Sequence, residues 1–402
     1  MKKRIETEVI HSGYSSDQHH GALAPPIYPT STFVFPNAET GEQRFAGEQE
    51  GYIYSRLGNP TVKMLEERIA VLEGGEKGLA FGSGMAAVSA VLLGLTKTED
   101  HILCSQGVYG CTFGLLQMME EKYRIHHDLI PMTDPEYIEE HIHPNTKVIF
   151  IETPINPTMA LVDLEMISQI AAKHKITVVV DNTFSTPYLQ RPLEHGCHIV
   201  IHSATKYIGG HGDVVAGLVV SDAETINFLA STTQKDIGGI MSPFDAWLLL
   251  RGLKTLPIRM DRHCDNAAYI NEKLKQHPMV EEVAYPGDPQ FRDYMIAEKQ
   301  MDQPGGLISF KIKGDKKDAQ RFINSMKLIK IAVSLGDAET LIQHPATMTH
   351  AVVGEESRAK MGITDNMIRI SVGLEAKEDI WADLERALEL YSNSGMTETE
   401  TV

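Results

Sequence analysis

Lys206 stands in the run His202-Ser203-Ala204-Thr205-Lys206-Tyr207-Ile208-Gly209-Gly210-His211-Gly212-Asp213, directly after the apolar Ile199-Val200-Ile201. A lysine at the end of a buried strand is neutral often enough to act as a nucleophile and condense with an aldehyde. Ser203 and Thr205 place two hydroxyl donors beside it, suited to a phosphate. Aldehyde and phosphate on one small molecule describe pyridoxal phosphate, so the segment reads as a Schiff-base lysine with part of a phosphate cup. Taken alone, it also fits a solvated lysine at a strand end.

Four further groups follow strand-like runs, where open α/β sheets place their ligands. Ser83-Gly84-Met85 opens the helical run Val88-Leu95, whose first N–H groups and dipole favour an anion; Ser83 also suits a plain N-cap. Asp181 ends Thr177-Val180, and a carboxylate there needs a partner, either a protonated pyridine nitrogen or the N–H groups of a helix it caps. Tyr109, in Gly107-Val108-Tyr109-Gly110-Cys111, offers an aromatic face for a ring and a phenol for a substrate, or else fills a turn. Arg369, inside Ile368-Arg369-Ile370-Ser371-Val372, is costly among apolar neighbours unless a carboxylate meets its fork; an amino-acid carboxylate and a structural salt bridge both satisfy that need.

These residues require a scaffold. The chain has 402 residues, 42% of them hydrophobic, enough for more than one packed core. Residues 1–60, rich in proline and glycine, read as an extended arm that needs a surface to lie upon. Val62, Leu65, Ile69 and Leu72 then recur at helical spacing until Gly74-Gly75. Strands are expected at His101-Cys104, Lys147-Ile151, Ile176-Val180, His198-Ile201 and Ala216-Val220, with Leu164-His174 helical between them. That alternation is the signature of a mainly parallel sheet covered on both faces. Residues 61–250 thus form a large ligand-binding domain. A connector helix over Pro243 to Met260 leads to a smaller α+β C-terminal domain, 251–395, with strand-like Gly306-Lys311 and Met367-Val372 and helical Lys316-Met326 and Lys377-Tyr391. A frayed tail, 396–402, follows.

The formal charge of −17 argues against nucleic-acid or anionic-membrane partners, since both need a basic footprint. Small molecules remain the expected ligands. Cys104, Cys111, Cys197 and Cys264 lack paired spacing, which fits reduced thiols in a cytoplasmic protein. No secretory leader or membrane span is expected. The histidines at His19-His20, His126-His127 and His202…His211 show no metal-binding spacing, so no metal is expected.

Taken together, Tyr54-Ser55-Arg56-Leu57-Gly58-Asn59-Pro60-Thr61, Ser83-Gly84-Met85-Ala86, Glu152-Thr153-Pro154-Ile155-Asn156-Pro157, Asp181-Asn182-Thr183, the Lys206 segment, Ser334-Leu335-Gly336 and Met348-Thr349-His350 resemble the Cys/Met-metabolism family of fold-type I pyridoxal-phosphate enzymes. The resemblance runs in order along nearly the whole chain. It implies a seven-stranded large-domain sheet, catalytic Lys206, Tyr109, Asp181 and Cys111, and cofactor contacts at Ser83, Gly84, Met85, Ser203 and Thr205. Tyr54 and Arg56 are implied to complete the cofactor site of a neighbouring subunit. Arg369, Ser334 and Asn156 are implied to hold the substrate carboxylate. Cys111, the pair Lys235-Asp236 and Ser334-Leu335-Gly336-Asp337-Ala338-Glu339-Thr340-Leu341 look like the branch that eliminates the γ-thiol of methionine. A buried thiol and a surface ion pair are the plainer readings of Cys111 and of Lys235-Asp236. The family pattern implies a homotetramer built as a dimer of dimers. γ-Lyases for cystathionine and γ-replacement transferases share the first half of the chemistry and are the alternatives. A non-catalytic scaffold would have to lack Lys206 or Asp181, and both are present.

Overall fold

The computed structural model describes residues 3–351 and 354–397. Seven short strands build the larger sheet: β1 (Lys77–Phe81), β2 (His101–Ser105), β3 (His126–Ile130), β4 (Thr146–Glu152), β5 (Thr177–Asp181), β6 (Ile199–Ser203) and β7 (Gly217–Ser221). Their spatial order is β1-β7-β6-β5-β4-β2-β3. β2 to β6 pair in parallel, whereas β7 runs antiparallel to both β1 and β6. Because helices cover both faces, the central strands read as unbroken apolar runs: Val178, Val179 and Val180 in β5 are all fully buried.

Several helices start where the sequence supplies a side-chain cap. Asn59 Oδ1 accepts the Thr61 N–H at 2.9 Å, Pro60 follows at the first helical position, and the helix Pro60–Glu73 stops at Gly74 with φ +76°. Asp163 caps Leu164–His174 through the Met166 N–H at 3.1 Å.

The single connector expected near Pro243 is two helices, Pro243–Leu253 and Leu256–Gln276, parted by Lys254 and Thr255. The second is the true bridge. Its Leu256, Met260 and Cys264 pack with Leu65 and Ile69 of the large unit, and its Ala267, Ile270 and Leu274 pack with the C-terminal core. That core lies against a second sheet, ordered β10-β11-β12-β9-β8, from β8 (Val280–Ala284), β9 (Leu307–Ile312), β10 (Lys330–Ile331), β11 (Leu341–Gln343) and β12 (Met367–Ser371). The last helix runs Lys377–Thr397, so the first two residues of the expected frayed tail are helical and 398–402 lie outside the described residues.

The first 60 residues are not purely extended. They contain the helices Ile5–His11 and Ala38–Ala46, which are short and punctuated by glycine and so show little periodicity. Much of this arm is pinned to its own chain: Trp247 Nε1 donates to Pro25 O at 3.1 Å, Thr61 Oγ1 to Pro26 O at 2.9 Å, and the buried Arg68 to Ser12 O at 2.8 Å. Leu23, Val34 and Phe45 nevertheless stay exposed, leaving apolar surface on the arm. Among the described residues no helix is long and apolar enough to cross a membrane.

Candidate active site

The C-terminal ends of the parallel strands open into one cleft. It is lined by Ser83, Gly84, Met85, Tyr109, Asn156, Asp181, Ser203, Thr205, Lys206, Ser334 and Arg369, all singled out by sequence. Chain topology supplies the reason: β4 ends at Glu152, β5 at Asp181 and β6 at Ser203, so each strand delivers its last polar side chain to the same edge.

Lys206 is largely buried, and its Nζ lies 3.3 Å from Ser334 Oγ. Burial, and then the Arg369 guanidinium nearby, lower its pKa, so the neutral nucleophilic amine is favoured. Asp181 Oδ1 accepts from the Thr183 N–H at 3.0 Å and from Thr183 Oγ1 at 2.5 Å. Thr183 Oγ1 in turn accepts the Ser203 N–H at 2.8 Å, locking the carboxylate to the neighbouring strand. Burial pushes the Asp181 carboxyl up, while these Thr183 hydrogen bonds pull it down. A cation against its free edge would restore the charged form.

Ser83 is the N-cap of Gly84–Leu95, accepting the Ala86 N–H at 3.0 Å. The plain N-cap reading of Ser83 is thus observed, and the first turn it caps, with Gly84 and Met85, lines the cleft where an anion could meet it. Gly84 is needed for the approach: a Cβ there would lie 2.9 Å from Ser203 Cβ and 3.1 Å from Ser203 Cα. Thr205 Oγ1 accepts the Ala216 N–H at 3.0 Å, which fixes the rotamer of the second hydroxyl.

Arg369 is only 3% exposed. Its Nη1 donates to Asn156 Oδ1 at 2.9 Å and its Nη2 to Ser334 O at 2.7 Å. Gln343, with its amide oxygen turned toward the guanidinium, accepts from Nη1 at 3.1 Å. These acceptors are neutral, so the hydrogen bonds do not form the structural salt bridge that the sequence leaves open. Burial lowers the arginine pKa to about 10, the expected strain of a buried cation held mainly by dipoles.

Tyr109 precedes the helix Gly110–Tyr123 and is partly exposed. A hydrogen bond with the Cys111 thiol, followed by burial, raises the phenol to about 12, so it stays protonated. Cys111 itself is exposed, not a buried thiol; Cys104, Cys197 and Cys264 are the buried ones.

Glu152 joins the site although its sequence context does not mark it as a member. It lines the cleft beside Asp181, its register partner across β4 and β5, and accepts the Tyr109 N–H at 2.9 Å and the Asn156 N–H at 3.3 Å. Burial and then the Asp181 charge raise its carboxyl to about 8. A carboxylate ending a buried strand is the available signal, the same one that marks Asp181.

Cys111 stands beside the cleft, hydrogen-bonded to Tyr109, rather than lining it, and four further expected residues sit elsewhere. Tyr54, Arg56, Lys235 and Asp236 gather on an outer face, where Arg56 Nη1 donates to Lys235 O at 2.7 Å and lies over the Tyr54 ring at 5.8 Å. Lys235 and Asp236 form an exposed ion pair at 3.6 Å, matching the plainer reading.

A half-buried lysine, a half-buried strand-end aspartate, a helix mouth with adjacent hydroxyls and an arginine held only by neutral acceptors are the donor set that pyridoxal phosphate and an amino acid need, and the residues fit that group. The fold and site thus define a fold-type I pyridoxal-phosphate enzyme. Residues 6–389 match the family model described as Cys/Met metabolism PLP-dependent enzyme, and the chain belongs to that family. It is 48% identical to the L-methionine gamma-lyase of Porphyromonas gingivalis, covering 97% of this chain and 98% of that one. It is also 48% identical to the L-methionine gamma-lyase of Pseudomonas putida, over 95% and 96%. The crystal structure of cystathionine gamma-lyase from Lactobacillus plantarum complexed with L-serine superposes with a TM-score of 0.91 at 41% identity, covering 96% of this chain and 99% of that one.

Proposed function

We propose that this chain is a methionine γ-lyase, which takes L-methionine and water to 2-oxobutanoate, ammonia and methanethiol and accepts homocysteine and related sulfur amino acids. The observation that supports it most is the Tyr109 phenol, hydrogen-bonded to Cys111 and lining the same cleft as Lys206 and Arg369. Bound pyridoxal phosphate supplies an aldehyde for the substrate amine and a protonated ring that accepts electrons.

The chain's own residues do the rest. Gly84, Met85, Ser203 and Thr205 hold the phosphate, and Asp181 keeps the ring nitrogen protonated. Arg369, positioned by Asn156 and Ser334, binds the substrate carboxylate and fixes which bond at the α-carbon is broken. Lys206, as the free amine, takes the α-proton; Tyr109 gives its phenolic proton to the departing thiolate, whose loss without a donor would be slow. Cys111 orients that phenol. Tyr54, Arg56, Lys235 and Asp236 serve the cleft of a second copy, in a cytoplasmic tetramer arranged as a dimer of dimers.

Cystathionine γ-lyase and γ-replacement activity are the competing readings, the former favoured by the likeness to the Lactobacillus plantarum structure. Incubating the holoenzyme with L-methionine and no added thiol separates them. Formation of 2-oxobutanoate with methanethiol supports the γ-lyase; absence of the oxo acid, with turnover only when a thiol is supplied, overturns it. Cleavage of cystathionine far faster than methionine transfers the assignment to the cystathionine enzyme.

A further inference from the structure

The active cleft uses the C-terminal ends of the strands. Away from it, His101 at the start of β2, Asp128 in the middle of β3 and His143 in the loop before β4 bring their ligand atoms within 4.8 Å of one another. Asp128 Oδ2 lies 3.4 Å from His101 Nε2 and 3.3 Å from His143 Nε2. Tetrahedral bonds of about 2.0–2.1 Å to zinc separate adjacent ligand atoms by roughly 3.3 Å, so the carboxylate oxygen already stands at coordination distance from both nitrogens.

The independent sign is His101. It is 2% exposed, and its buried Nε2 makes no hydrogen bond, although Asp128 is near. Its other nitrogen, Nδ1, lies 2.8 Å from Thr146 Oγ1, which also accepts the His143 backbone N–H at 2.8 Å. With Nδ1–H donated to that hydroxyl, Nε2 turns a lone pair toward Asp128 and His143, the arrangement by which an outer hydrogen bond fixes a ligand histidine. The two rings stack at 4.5 Å, which restrains both. Glu99 and Glu120, which flank His126 at 3.5 and 3.6 Å, add negative potential around the group.

We propose that His101, Asp128 and His143 form a divalent transition-metal site, of zinc type, on the strand edge remote from the cofactor cleft. Two imidazoles and one carboxylate favour such an ion over magnesium or calcium, which prefer all-oxygen shells. His101 is the buried anchor. Asp128 and His143, 43% and 49% exposed on their side chains, close over the ion from the solvent side and leave its fourth position to water. The sequence conceals the site because the ligands are 27 and 15 residues apart and come from the start of β2, the middle of β3 and the loop before β4.

The test uses chelator-treated, pyridoxal-phosphate-loaded enzyme titrated with Co2+ and, by equilibrium dialysis, with Zn2+. The expected result is one tightly bound ion per chain, with visible cobalt bands of nitrogen and oxygen ligation and no thiolate charge transfer. Affinity should fall by about 10-fold or more in His143→Ala and in Asp128→Asn, and persist in Cys111→Ala. Metal-free His143→Ala should turn over methionine like the metal-free parent. Equal affinity in the parent, His143→Ala and Asp128→Asn, or binding abolished by Cys111→Ala alone, overturns the site.

Discussion

Arg369 shows how much a single side chain commits to function. A guanidinium 3% exposed and held by neutral acceptors is poorly compensated by the protein alone, so under the proposed function a substrate carboxylate would supply the missing charge. Arg369→Lys keeps the charge but loses the two-pronged fork. Charge-assisted hydrogen bonds of about 1.5–3 kcal/mol correspond to a rise in KM for methionine of about 10- to 100-fold, with kcat changed much less. Steady-state kinetics measure both, and an unchanged KM would remove Arg369 from the substrate's carboxylate. Cys111 acts on Tyr109 in a way a pH profile can read. The thiol is the leading cause of the phenol's rise to about 12, and a proton donor fails as pH passes its pKa. Cys111→Ala should therefore move the alkaline limb of kcat to lower pH. A limb that stays in place would show that some other group protonates the leaving sulfur. Lys206, Asp181 and Arg369 are legible in the sequence because each is a charge set in, or closely after, an apolar run. Glu152 obeys the same rule yet escapes notice, because its partners are backbone N–H groups from the next loop, which a sequence does not show.

At the scale of elements, the strands that carry the site are readable because they are buried on both faces and read as unbroken hydrophobic runs. β1 and β3 are not. β1 is five residues containing a glycine, and its pairing with β7 is non-local. β3 is an edge strand, opening His126-His127-Asp128 and buried fully only at Ile130, so its polar start resembles a loop. The helix mouth at Gly84 is the element most sensitive to a single atom. With Ser203 only 2.9 Å from where an alanine Cβ would stand, Gly84→Ala must push the helix off β6 and widen the gap that the phosphate spans. Neither the cap at Ser83 nor Lys206 is altered, so the expected loss is in cofactor affinity, about 10-fold or more, since contacts worth ~1.4 kcal/mol each correspond to a factor of ten. Absorbance titration of the apoenzyme with pyridoxal phosphate measures it; parental affinity would mean that the phosphate does not approach this turn.

For the whole molecule, the decisive feature is that the residues expected from sequence to serve the site fall into two separate groups. Lys206 and its neighbours line the cleft, whereas Tyr54, Arg56, Lys235 and Asp236 share an outer face beside an arm that leaves Leu23, Val34 and Phe45 exposed. A two-fold interface places the same patch of each copy against its partner, so it can carry each outer face to the other copy's cleft and cover that apolar surface in one step. If so, Lys206→Ala and Arg56→Ala should each be nearly inactive alone, yet complement one another. In a mixed dimer, one cleft combines the intact Lys206 of the Arg56→Ala chain with the intact Arg56 of the other, and the second cleft carries both defects. Random reassembly of equal amounts makes half the dimers mixed, so about one quarter of parental activity should return. Co-refolding the two inactive variants and assaying 2-oxobutanoate measures the recovery. No recovery, with mixed dimers demonstrated by differential tagging, would mean that each chain builds its cleft unaided.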